Sequence, residues 1–157
     1  ALRDDVEHTV KNLITLLNKK LEKLHFFLSK EIEKQSLLSS ENIEDFLDLL
    51  PLDEIIKTEI DELDYAVAGI ETDISKITGM EFQHFEQELE LYTHDKKSNH
   101  QHVAKEYFSC KEKIKKQLGL LLNERNKLID TIQTIQNRYK IDIEELKELQ
   151  EFYISDL

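Results

Sequence analysis

The sequence predicts an all-α protein, an antiparallel bundle of three long helices with short accessory helices. Three observations carry this. Helix breakers are scarce, with three glycines and one proline in 157 residues, which favours long helices over a sheet. Apolar residues recur in alternating steps of four and three, the spacing that holds them on one helical seam. Polar stretches without an apolar anchor are few and short, so each helix is left beside its predecessor. The clearest seam is Ile56, Ile60, Leu63, Val67, Ile70, Ile74 and Ile77, set among Lys57, Glu59, Asp61, Glu62, Asp64, Glu71, Asp73 and Lys76, which read as a solvated charged surface. Such a stripe needs partner helices to remove it from water. The length fits a single domain over residues 1–157.

The first helix is expected over residues 4–38, where Asp4, Asp5 and Glu7 suit its N-terminal dipole. Its seam is Val10, Ile14, Leu17, Leu21, Leu24 and Leu28, widened by Phe26 and Phe27. Beyond Leu28 the pattern fades, and only Ile32 continues it. Ser39, Ser40, Glu41 and Asn42 read as a turn in which either serine caps the next helix. A short helix over 43–50 follows, with Ile43, Phe46, Leu47, Leu49 and Leu50 as its apolar residues. Pro51 is expected to open the next helix at its first turn, with Asp53 and Glu54 beside the dipole.

That second long helix is expected to run over 51–93 and to bend at Gly79, since the pattern resumes at once with Phe82, Phe85, Leu89 and Tyr92. Residues 94–102 are polar throughout and read as a reversal loop. The last long helix spans 101–139, with a seam from Val103 through Tyr107, Cys110, Ile114, Leu118, Leu121, Arg125, Leu128, Ile132 and Ile135 to Tyr139. Two successive four-residue steps at Cys110, Ile114 and Leu118 form a stutter. Residues 141–157 are expected to form a tail helix able to move apart from the bundle. Its apolar face is Ile143, Leu146, Leu149, Phe152 and Tyr153.

Composition narrows the function classes. Thirty-three acids against 21 bases give a net charge of −12, which disfavours nucleic acid and anionic membrane surfaces. A basic partner, or one bound through apolar contact, is more compatible. No apolar run approaches the roughly 20 residues of a membrane span, and the segment from Ala1 to Val6 has no signal-peptide core. Cys110 is the lone cysteine, so no disulfide framework is expected and the cytoplasm is the expected compartment. It falls on the apolar side of its helix and reads as a buried structural thiol.

Residues that tempt a chemical reading are few. His84, His94, His100 and His102 lack a companion cysteine or carboxylate pair at ligand spacing. Glu81 and His84 match the Glu-x-x-His spacing of di-iron bundles, but the second copy that such sites require is absent. With no phosphate loop and no nucleophile elbow, neither an enzyme, a metal nor a cofactor is expected. Arg125 interrupts its seam between Leu121 and Leu128. It either fixes register as a polar seam residue or marks where the helix faces a partner.

One passage carries a family likeness. Leu120, Leu121, Leu122, Asn123, Glu124, Arg125, Asn126, Lys127, Leu128 and Ile129 resemble the Asn-x-x-Asn-x-x-Leu segment in the last long helix of FlgN-type flagellar export chaperones. The long first helix, the polar step before a Leu-rich second helix, the size and the acidity are also similar. The resemblance implies a small cytoplasmic chaperone without ATPase activity. It would bind the C-terminal amphipathic helices of hook–filament junction proteins and hand them to the export apparatus. It also implies partner-binding roles for Asn123 and Asn126, and for Ile143, Leu146, Leu149, Phe152 and Tyr153 of the tail, which would contact the client or cover its groove. The competing expectation is a non-enzymatic coiled-coil scaffold, paired with another subunit or with a second copy of itself.

Overall fold

A computed structural model describes residues 2–139; the tail face of Ile143, Leu146, Leu149, Phe152 and Tyr153 lies outside the described residues. The protein is all-α. Among the described residues there are four helices and no strand: α1 Asp4–Ser39, α2 Ile43–Thr78, α3 Phe82–Thr93 and α4 Gln101–Tyr139. None is long and apolar enough to cross a membrane.

The turn between α1 and α2 is built from its polar side chains. Asn42 N–H donates to Leu37 O at 2.8 Å, and Glu41 takes a left-handed conformation, φ 61°. Asn42, not a serine, caps α2, its Oδ1 accepting from the Asp45 N–H at 3.3 Å. The serine cannot serve because the Ser40 hydroxyl is turned back onto α1, donating to Ser36 O at 2.9 Å.

Two expected boundaries are corrected. No separate helix occupies 43–50, since α2 runs unbroken through Pro51. An interior proline costs about 3 kcal/mol, but buried Phe46 and Leu50 before it and Ile56 after it anchor both sides. Burial of such side chains is worth roughly 1.5–3 kcal/mol each. Pro51 itself is exposed, so its ring displaces no core side chain. At Gly79 there is a stop, not a bend. Gly79 sits at φ +70°, its N–H donates to Ser75 O at 2.9 Å, and α3 starts afresh at Phe82. A left-handed glycine just past the last turn is a helix terminator.

The chain divides into two compact units. The first combines α1 up to Leu21 with Asp61–Lys115. Here Glu7 lies 3.6 Å from His100 and the Cys110 thiol lies 3.3 Å from Asn18 Oδ1, so α1 and α4 run in the same direction. The α2 seam contributes less to this core than its periodicity suggests. Ile74 is fully buried, while Leu63, Val67 and Ile70 are only half-buried and Ile77 is exposed. Phe85 and Leu89 of α3 supply buried apolar volume here instead.

The second unit joins Glu22–Ile60 to α4 from Lys116 onward. The ion pairs Lys23–Glu59 and Lys34–Asp53 set α2 antiparallel to α1. Gln35 Nε2 donating to Thr131 at 2.8 Å and Arg138 to Glu41 at 2.6 Å set α4 parallel to it. Its apolar cluster is Leu38, Phe46, Leu50, Leu128, Ile132 and Ile135. At the stutter the structure buries Gln117 and leaves Leu118 half-buried, a rotation that two successive four-residue steps produce.

The glycines give a test with opposite signs. No atom lies within 4 Å of a Cβ built on either Gly79 or Gly119, so only backbone conformation decides. Gly119→Ala, in the exposed interior of α4, should stabilise by about 0.5–1 kcal/mol. Gly79→Ala should destabilise by about 1–2 kcal/mol. Urea midpoints measure both, and a shift of the same sign for the two would contradict the assignment of Gly79 as a terminator.

Candidate functional site

The α1 seam does not fade after Leu28. Its buried positions continue as Leu24, Phe27, Glu31, Lys34 and Leu38, still in steps of three and four. The expected Ile32 is half exposed instead. Two charged residues thus occupy core positions, and the α2 seam extended back from Ile60 and Ile56 adds Asp53. Relative exposures are 0 % for Glu31, 0 % for Lys34 and 1 % for Asp53. Lys34 Nζ lies 2.5 Å from Glu31 Oε1 and 2.5 Å from Asp53 Oδ2. The contact to Asp53 is a hydrogen bond between helices, whereas that to Glu31 is an ion pair within α1. Lys57, expected on the solvated surface of α2, is buried instead at 6 % exposure.

Removing such charges from water costs several kcal/mol per ion, repaid only when the partners meet closely. Burial raises the Glu31 carboxyl from 4.5 to about 7; Lys34 opposes the rise, while Asp53 and Glu124 add to it. With no member of the trio exposed beyond 1 %, the layer cannot meet a substrate as it stands. It fixes which residues of α1 and α2 face one another.

The residues singled out by sequence lie elsewhere in the same unit. Asn123 and Asn126 are both exposed on α4, one turn apart and hence on one side of the helix. Among the described residues neither amide is hydrogen-bonded. Beside them, Leu122 is 44 % exposed and Ile129 is half-buried. Arg125 is half-buried, and its Nε is enclosed without a hydrogen bond. The structure therefore brings Asn123 and Asn126 together but does not join them to the charged layer.

The remaining candidates disperse. His102 is almost fully exposed near Glu106, and His100 packs edge-on against Tyr92 at 5.4 Å. Glu81 and His84 are both exposed. Among the described residues, no three His, Cys, Asp or Glu side chains are grouped to hold a metal ion. Cys110 is buried, and that burial raises its thiol pKa. Tyr107 donates to Glu86 at 2.8 Å, and burial followed by this bond pushes its phenol far above its usual value. No family model, curated protein or solved structure matches the chain.

The charged layer predicts a pH dependence whose sign is fixed. Glu31 holds its proton more tightly when folded, so its contribution to stability falls as pH rises from 4.5 to about 7 and is level above that. Relative to wild type, Glu31→Gln should gain stability across that window, by on the order of 3 kcal/mol at pH 8. Lys34→Met, which removes the cation that two buried carboxylates share, should lose about 3–5 kcal/mol at pH 8 and recover part of it on acidification. Denaturation midpoints between pH 5 and 8 measure both. Parallel curves for wild type and Glu31→Gln would refute the buried layer.

Proposed function

We propose that this protein is a non-enzymatic helix-binding protein of the FlgN export-chaperone kind, an antiparallel helical bundle acting in the cytoplasm without metal or cofactor. The observation that carries the reading is the pair Asn123 and Asn126, both exposed on α4 beside exposed Leu122. An amphipathic client helix laid along this face would place its apolar stripe on Leu122 and Ile129. The two amides would bond to polar groups at the stripe's edge. In this reading the clients are the C-terminal helices of hook–filament junction proteins, received here and passed to the export apparatus. The tail residues Ile143, Leu146, Leu149, Phe152 and Tyr153 extend the contact or cover the face when it is empty.

A coiled-coil scaffold subunit is the second reading. Half-buried Leu63, Val67 and Ile70, next to Tyr65 at 85 % exposure, favour it, because an incompletely covered seam suits a permanent neighbour.

Titration calorimetry with synthetic junction-protein C-terminal helices distinguishes the two. The chaperone reading expects reversible binding, weakened about tenfold or more by Leu122→Ser with Asn123→Ala and Asn126→Ala. The triple change Leu146→Ser, Leu149→Ser and Phe152→Ser should act likewise. Absence of binding, together with a stable dimer in sedimentation that Val67→Ser dissociates, would replace it with the scaffold.

A further inference from the structure

The outer side of α2 in the second unit carries a feature that the α4 reading does not use. Leu47, Pro51 and Ile55 stand at successive four-residue steps and are all exposed, Leu47 at 42 % and Ile55 at 56 %. They make an apolar ridge roughly 12 Å long at 1.5 Å per residue. Exposed Glu44, Asp48 and Glu54 flank it, and among the described residues none of the three has an ion-pair partner. The only base between Lys34 and Lys76 is Lys57, and it is buried. Beside Ile55 lies a shallow hollow of about 340 Å³ lined by Glu54, Ile55, Thr58 and Glu59.

The physical chemistry of this ridge is one-sided. Glu44 and Asp48 are like charges four residues apart, which destabilises a helix by a few tenths of a kcal/mol. Exposed apolar area and unneutralised carboxylates therefore share one face, and both are satisfied by the same visitor. That visitor has an apolar stripe bordered by lysine or arginine, whose N–H groups donate to the carboxylates. The chain's own residues 140–157 carry six acids against two bases, and a second copy brings a net charge of −12, so both would meet repulsion here.

We infer that the Leu47–Pro51–Ile55 face of α2 is a docking surface for a basic amphipathic helix of a partner protein. It is separate from the α4 face and does not depend on the chaperone reading. The test uses the full chain and two fluorescent 18-residue helical peptides, one of leucine and lysine in amphipathic order and one of leucine and glutamate. Anisotropy titrations should show binding of the lysine peptide only, weakening as salt is raised.

Two variants should each weaken that binding about tenfold, the change expected when central contacts of an interface are removed. They are Leu47→Ser with Ile55→Ser, and Glu44→Gln with Asp48→Asn and Glu54→Gln. Since every altered side chain is exposed, unchanged circular dichroism verifies folding. A control that neutralises exposed acids elsewhere, Asp73→Asn with Glu90→Gln and Glu112→Gln, should leave the affinity within about twofold, as contacts outside an interface do. Equal loss in the control would reduce the effect to net charge and overturn the assignment. So would binding of the glutamate peptide, or self-association abolished by the Leu47→Ser and Ile55→Ser pair.

Discussion

Lys34 held between Glu31 and Asp53, with all three side chains out of water, is the constraint on which the second unit depends. Apolar contacts alone tolerate a slip of one helix along another, because one leucine replaces the next. A buried ammonium does not, since a slip parts Lys34 of α1 from Asp53 of α2 and breaks a buried ion pair at a cost of several kcal/mol. Only one pairing of α1 with α2 meets that condition. Phe27 and Leu38 on the same seam of α1, with Phe46 and Leu50 on α2, provide the burial that offsets its desolvation.

With register fixed inside, the two proposed contacts lie on outer faces, and these differ in chemistry. On α4, neutral amides accompany one exposed leucine, which suits a contact directed by hydrogen bonds. On α2, an apolar ridge stands among carboxylates, which suits a contact steered by charge. In both proposed contacts the partner would be met by the side chains of a single helix.

Much of the fold was legible in the sequence. The bounds of α4 at Gln101 and Tyr139 were read from the seam, and the α1 end was read to within one residue. Misreadings trace to specific competitions. Pro51 was weighed by its local cost, whereas Phe46, Leu50 and Ile56 outweigh it through packing that periodicity does not price. Gly79 was read as a bend, although a left-handed glycine with Thr78 behind it ends a helix. Glu31 and Lys34 look like the end of the apolar pattern because charge ordinarily marks the surface. Their spacing from Leu24, Phe27 and Leu38 was the signal that they belong inside. Asp53 was misassigned similarly, as a first-turn charge in place of a core acid. Of the candidate site, Asn123 and Asn126 could be found only through a family likeness, since nothing in the spacing of two exposed amides marks them.

The ionisation of Glu31 reports directly on whether the layer is closed to water. A carboxyl carbon titration by nuclear magnetic resonance, with Glu31→Gln used to assign the signal, would follow it without perturbing the fold. A closed layer gives a midpoint at about 7. A midpoint at the ordinary value of 4.5 would place Glu31 in water and contradict the buried layer as the element that sets the register of these helices.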